Sequence, residues 1–414
     1  MNPLEALPDF GGALSQSYQG EEATVQLIYQ DGAAPTGMVR VPMGDVSRLH
    51  VLDFFLQGAP YVIKHDAERA LVIGVGGGLD VLISLFYGTK HVIGVEINPV
   101  MVDVVKRRYA ASAGWIFDRP DVELLAAEGR HYLTTTDERF DVIQLSGVDT
   151  YSALSVGAYV LAENYLYTTE AIQSYWEHLS HNGILSFSRW LFTPPRETLR
   201  LVTIELEALR QMGIEEPERH LMVIAGKATY GQYWAETLLK RNPFNEAEVA
   251  AYSRWADRLQ FEVLYNPFLR QDNAFDRIIR ASDMEREILV ERYPYDISPI
   301  SDDNPFFFQF YRWGSLLRPM ETQGGYFITA IPLGLFVLLV SLLQIFVLAV
   351  TFIIGPLVPR GTQLRQIRHK GRVLIYFGAL GLGFIMVEIA LMQKYAVFVG
   401  GPIYSMAVTL FAIL

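Results

Sequence analysis

The chain has 414 residues, 51% of them hydrophobic, with 34 Lys and Arg against 45 Asp and Glu and no cysteine. Disulfides, thiolate nucleophiles and cysteine-based zinc sites are therefore excluded. Only six of the basic and one of the acidic residues lie beyond Gly325, which leaves 28 against 44 and a net charge of −16 in residues 1–324. So acidic a portion is repelled by phosphate backbones, and nucleic acid is not an expected partner.

Met1–Tyr18 lacks the basic start and apolar core of a signal peptide. Val25–Tyr29 and Met38–Val41 are strand-like and fall in a small β unit assigned to residues 1–66. An α/β domain is expected over residues 67–324. Ala70–Ile73 is an apolar run that ends in Gly74-Val75-Gly76-Gly77-Gly78, and the helix-like stretch Leu79–Phe86 follows. His91–Val95 is a second run, closed by Glu96, and Pro99 opens a helix at its first turn. Val122–Leu125, Phe140–Leu145 and Gly183–Phe187 read as further strands, with helical stretches such as Thr168–Leu179 between them. This alternation predicts βαβ units around a parallel, doubly wound sheet, a Rossmann-like architecture.

The glycines let the chain turn sharply and bring backbone N–H groups up to a ligand at a helix N-terminus. Glu96 stands 22 residues beyond Gly74, where an acid at the end of the second strand can hold ribose hydroxyls. Strand, loop, helix and acid together predict a nucleoside-like ligand.

Three further stretches carry a family resemblance: Gly94-Val95-Glu96-Ile97-Asn98-Pro99, Glu128-Gly129-Arg130, and Leu166-Tyr167-Thr168-Thr169-Glu170-Ala171. From Leu71 to Trp190 the chain resembles the spermidine synthase family, within the S-adenosylmethionine-dependent methyltransferase fold, and its membrane-embedded bacterial branch in particular. The resemblance implies a Gly loop (Gly74, Gly76, Gly77, Gly78) approaching the methionine moiety of the donor. It further implies Glu96 on the ribose, and Glu128 with Gly129 at the adenine. The donor would be S-adenosylmethionine or its decarboxylated form, and the acceptor a small molecule such as a polyamine. In the membrane branch an Asp-Asp-x-Pro-Phe stretch, here Asp302–Phe306, leads into apolar helices; it reads as a juxtamembrane turn with interfacial aromatics.

Departures accompany the matches. Where spermidine synthases end their fourth strand in Asp-x-x-Asp-Pro, this chain has Ser146-Gly147-Val148-Asp149-Thr150. The first acid, which helps deprotonate the attacking amine, is a serine; Asp149 survives as the catalytic candidate, or as a cap of the loop. Gly77 replaces the Asp that holds the donor's amino group. The amine-binding stretch is reduced to Asp45-Val46-Ser47-Arg48-Leu49-His50. Glu163 and Tyr167 border the crevice or pack beneath it, and the spacing of His178 and His181 suits a metal but lacks a third ligand, so no metal is assigned.

Glu197–Gln211 and Glu246–Leu259 read as helices, and Leu221–Ala225, Trp234–Leu239 and Phe261–Leu264 as strands that complete the sheet. From residue 325 onward the sequence predicts transmembrane helices. Tyr326–Val358 carries no charge and is too short for two crossings, so one span over Leu333–Ile354 is expected. Val373–Leu391 is a second span, containing Glu388, and Ile403–Leu414 begins a third that looks truncated. The lipid bilayer, specifically a multi-pass inner-membrane location, is thus expected. Five Lys/Arg between Arg360 and Arg372 would place the acidic domain outside by the positive-inside tendency. A cytosolic donor favours the cytoplasmic face, which is the expectation adopted. The functional reading is a membrane-anchored transferase moving an aminopropyl or methyl group. Loss of the usual Asp at Ser146 motivates the alternative, a non-catalytic nucleoside-sensing domain coupled to the membrane helices.

Overall fold

The computed structural model describes residues 12–20, 23–30, 34–148, 163–227, 233–312, 333–355, 369–399 and 402–413. The chain divides into two compact units, one made by residues 1–155 and 159–331, the other by 156–158 and 332–414.

In the first unit a hairpin of β1 (Val25–Gln30) and β2 (Ala34–Val39) precedes a single eight-stranded sheet. The hairpin pairs Val25 with Val39 and Gln30 with Ala34. This register moves β2 earlier than the Met38–Val41 expected from the sequence, because Val41 leaves the ladder and donates its N–H to the Ser112 carbonyl at 3.0 Å. The sheet strands are β3 (Arg69–Ile73), β4 (His91–Glu96), β5 (Val122–Ala126), β6 (Phe140–Ser146), β7 (Leu179–Leu191), β8 (Leu221–Lys227), β9 (Tyr233–Lys240) and β10 (Glu262–Tyr265). Five strands run parallel in the order β5-β4-β3-β6-β7. β9 then lies antiparallel between β7 and β8, and β10 adds antiparallel to β8. Counting from β3, the order 3-2-1-4-5-7-6 with the seventh strand reversed is that of the Rossmann-like methyltransferase fold.

Covered on both faces, the parallel strands read as continuous apolar runs rather than as alternating ones. On β3, Leu71 and Ile73 enter one core cluster while Ala70 and Val72 enter the other. Helices α1 (Ala59–Ile63), α2 (Leu79–Phe86) and α3 (Pro99–Asp103) cover the second face, and α4 (Gly129–Thr135), α5 (Thr169–His178) and α6 (Glu197–Gln211) the first. Helix α7 (Glu246–Arg258) packs Val249, Tyr252 and Trp255 over the β8–β9 end. The winding reverses between β3 and β6, so the crevice for a ligand opens at their carboxyl ends. Two helices that the sequence reading missed, α8 (Ala274–Ile279) and α9 (Asp283–Arg292), start at Asn273 and at a Ser282–Glu285 capping box.

The second unit is helical: Leu333–Ala349 continues as a π turn to Ile354, and Lys370–Val399 and Pro402–Ile413 follow. Among the described residues one stretch, Gly371–Met392, is long and apolar enough to cross a membrane; Leu339–Phe352 is a shorter apolar helix. Leu374, Ile375 and Met386 are each at least 70% exposed.

Candidate functional site

The Gly loop and Glu96 meet directly. β3 and β4 are parallel neighbours, with Ile73 opposite Val95, so the loop after one strand lies beside the acid that closes the other. Glu96, almost fully buried, accepts the Gly76 N–H on Oε2 at 3.0 Å and the Asn98 N–H on Oε1 at 2.9 Å. A carboxylate has about four lone-pair directions, so each oxygen retains acceptor capacity for a hydroxyl.

Gly77 explains its own departure from the family pattern. Its N–H donates to Thr36 Oγ1 at 2.9 Å, and a Cβ placed on it would lie 2.2 Å from the Gly37 carbonyl oxygen. The β1–β2 hairpin therefore sits on the loop, and no side chain fits between them. Gly74, at φ +78°, is equally constrained, since a Cβ there would meet Val148 Cγ1 at 2.4 Å.

One strand further, Glu128 caps α4, its two oxygens accepting from the Arg130 and His131 amides at 3.1 and 2.7 Å. Gly129 packs on β3, where a Cβ would come within 2.5 Å of Ile73 Cγ2. Arg130 reaches Asp302 with both terminal nitrogens, at 2.6 and 3.0 Å, and Thr168 Oγ1 donates to the same carboxylate. The Asp302–Phe306 stretch is thus locked to the site wall, and the phenylalanines after it, Phe307, Phe308 and Phe310, are buried in the core. Those that follow the stretch lie inside the α/β unit: Arg189 lies over the Phe307 and Phe308 rings and Arg200 over Phe310.

On the other side of β3, polar groups line the face covered by α2. Ser146 ends β6 opposite Ser188 of β7, which lies opposite Glu236 of β9. Ser186 and Ser188 both donate to the Glu236 carboxyl. Asp80, in the first turn of α2, is 6% exposed and neighbours the Ser146 hydroxyl. Yet among the described residues neither Asp80 Oδ1 nor Ser146 Oγ completes a hydrogen bond. Burial pushes Asp80 up to about 7, opposed by that hydroxyl, and pushes Glu236 up to about 8. The sequence reading missed both acids. Their signal is a lone acid within an apolar run: Asp80 in Leu-Asp-Val-Leu-Ile-Ser-Leu-Phe, Glu236 in Trp-Ala-Glu-Thr-Leu-Leu.

Asp149 lies outside the described residues. Tyr167 is fully buried and takes a hydrogen bond from Arg189 at 3.1 Å, beneath the site rather than lining it. Asp45 caps an exposed turn through Ser47 and pairs with Arg48. Contacts with the Ser174 and Thr136 carbonyls occupy both ring nitrogens of His178.

No family model matches the chain. Over 164 residues it is 30% identical to the polyamine aminopropyltransferase of Thermococcus onnurineus, covering 39% of this chain and 52% of that protein. It is 30% identical over 111 residues to polyamine aminopropyltransferase 1 of Pseudomonas aeruginosa, covering 27% and 38%. The chain resembles the spermidine synthases. It spans about half the length, or less, of these curated relatives. Among solved structures, the spermidine synthase of Thermotoga maritima aligns over 60% of this chain and 88% of its own, at 16% identity and a TM-score of 0.33. Human methyltransferase-like protein 13, in complex with SAH, aligns over 51% and 90%, at 16% identity and a TM-score of 0.35.

Proposed function

We propose that the chain is a membrane-anchored, spermidine synthase-like transferase. It takes S-adenosylmethionine or decarboxylated S-adenosylmethionine as donor and transfers a methyl or aminopropyl group to a small-molecule acceptor, with amines such as polyamines among the candidates. The observation that carries this reading is the direct bond between the Gly76 amide and Glu96 at the point where the sheet reverses its winding. In this reading Glu96 accepts the ribose hydroxyls and Glu128, with Gly129, borders the adenine. Asp149 orients or deprotonates the acceptor. The sulfonium is already a good leaving group, so positioning supplies most of the acceleration. The acidic residues 1–324 favour a cationic acceptor. The apolar helices, with Gly371–Met392 foremost, would anchor the chain as a multi-pass protein of the inner membrane, its α/β unit on the cytoplasmic side. The domain limits proposed are residues 1–66, 67–324 and 325–414.

Gly77 bears on the choice of donor. With no carboxylate at that position, the family's grip on the donor's amino group is missing, which leaves methyl transfer as open as aminopropyl transfer. Titration calorimetry of the full chain in detergent, with each donor separately, tests the reading. Binding of either donor, lost in Glu96→Ala, is the expected result. A folded chain that binds neither donor would overturn it. Binding without turnover on any amine would move the assignment to the nucleoside-sensing alternative.

A further inference from the structure

Three residues of the stretches that carry the family resemblance, Arg130, Thr168 and Glu170, have no part in the function proposed above. All three meet at Asp302, which lies far beyond the matching region. Arg130 donates from Nη1 to Asp302 Oδ1 at 2.6 Å and from Nη2 to Oδ2 at 3.0 Å. Thr168 Oγ1 donates to Oδ1 at 2.6 Å, and the Asp302 N–H donates to Glu170 Oε2 at 3.0 Å. The Arg130 side chain is only 9% exposed, so this two-pronged pair is largely removed from water. Two residues back stands Glu128, whose Oε1 accepts the Arg130 N–H at 3.1 Å and whose Oε2 accepts the His131 N–H at 2.7 Å. Each of those oxygens keeps acceptor capacity beyond its amide. The adenine 6-amino group is the donor that the transferase reading brings to them.

A guanidinium held away from water needs a counter-charge, and removing its partner costs far more than the pair contributes. The acid next to Arg130 along the chain is Glu128, at the same helix start. Bound there, the guanidinium would fill with its N–H groups the lone pairs that the adenine needs. Asp302 draws it the other way. We propose that Asp302 is a positioning residue of the donor site: it keeps the Arg130 guanidinium off Glu128, so that Glu128 stays free to accept the adenine 6-amino group. This rests on the transferase reading above, and specifically on its placing of Glu128 at the adenine. Asp302 touches no donor atom in this scheme and acts through Arg130 alone. The resemblance offers no residue for the part, because Asp302 reaches the site from 172 residues further along the chain.

The test is titration calorimetry of the full chain in detergent with two ligands. One is the donor that the chain binds, S-adenosylmethionine or its decarboxylated form; the other is the same molecule with hydrogen in place of the adenine 6-amino group. A hydrogen bond to a charged acceptor is worth a factor of about 10–100 in affinity, so the original chain should prefer the amino form by that order. Asp302→Asn keeps the shape and the N–H to Glu170 but loses the charge, and should lose most of the preference. Adding Arg130→Met to Asp302→Asn removes the competing guanidinium, and the preference should return. A merely structural Asp302 predicts the opposite, a double variant no better than the single one. Full preference in Asp302→Asn, or no return in the double variant, overturns the proposal. Should Asp302→Asn fail to fold, the double variant, which leaves no guanidinium unpaired, is measured by itself: it must prefer the amino form, and a folded double variant without that preference overturns the proposal. An original chain that binds the donor but ignores the 6-amino group also overturns it, while donor binding stands. A chain that binds neither donor brings down the transferase reading and this proposal together.

Discussion

The carboxylates on the two sides of the Gly loop are treated differently by the fold. Toward β4 and β5, Glu96 and Glu128 each receive two backbone amides, from loops and helix starts. Toward β6, β7 and β9, Asp80, Glu236 and Glu205 lie beside hydroxyls. Among the described residues Glu236 has two serines, Glu205 has Thr237 on one oxygen and no hydrogen-bond partner on the other, and Asp80 Oδ1 completes none. Backbone amides hold a carboxylate at a crevice with fixed geometry. Hydroxyls in a sealed interior instead leave the acid favouring its proton. One half of the edge fixes its carboxylates with backbone amides, and the other leaves its acids favouring their protons.

The sharpest break of that comparison is pH. Burial raises Glu205 and Glu236 to about 8 from 4.5, and Asp80 to about 7 from 3.8. A carboxyl with a raised value in the folded state binds its proton more tightly there than in the unfolded chain. Its contribution is fully present below the ordinary value and is lost as pH climbs through the raised one. Each group can cost up to about 1.4 kcal/mol per pH unit within its interval. The α/β unit should therefore lose roughly several kcal/mol between pH 5 and pH 8. Glu205→Gln, which keeps size and removes the charge, should flatten that slope. Near-UV circular dichroism during denaturant titration at each pH reads it, and a profile level from pH 5 to 8 would contradict the buried-acid account.

Next in size is Gly77→Asp, which restores the residue the family carries. With Gly37's carbonyl 2.2 Å from the new Cβ, the substitution should displace the hairpin and cost about 3 kcal/mol, rather than improve donor binding. Asp302→Ala tests the wall on the amide-rich side. Arg130 is largely buried while Asp302 is 30% exposed, so the loss should be about 2 kcal/mol, below the figure for a fully buried pair. An Asp302→Ala chain as stable as the original would mean that the Asp302–Phe306 stretch is held by its aromatics alone.

What the sequence made legible follows the same division. Strand ends, Gly loop and Glu96 are local: an apolar run, a turn and an acid at fixed spacing, all readable along one line. The doubly wound sheet was expected from the alternation of strands and helices, and its strand order is seen only in the pairing. Contacts between distant segments were not legible. Thr36 on Gly77, Arg130 on Asp302, and Asp80 beside Ser146 join residues 41, 172 and 66 positions apart. The burial of the phenylalanines after Asp302 was illegible for the same reason. Aromatic residues next to an apolar tail resemble a membrane interface until Arg189 and Arg200 are found over their rings. Nothing in the local composition distinguishes the two settings.

The smallest effect concerns the hairpin itself. Thr36 Oγ1 accepts the Gly77 N–H at 2.9 Å, a side-chain hydrogen bond between β2 and the Gly loop. Thr36→Val keeps the branched shape but removes the acceptor, leaving a partly buried amide without its partner. Such a loss is worth about 1 kcal/mol, and in a unit of this size it should lower the melting temperature by about 2–4 °C. Thr36→Ser restores the acceptor without the methyl group and should regain most of the difference. The comparison of valine with serine isolates the bond from the packing, since valine keeps the contacts and serine keeps the oxygen. Were the valine variant the more stable of the two, the hairpin would be seated on the loop by shape, and the tight approach of Gly37 to Gly77 would carry the contact alone.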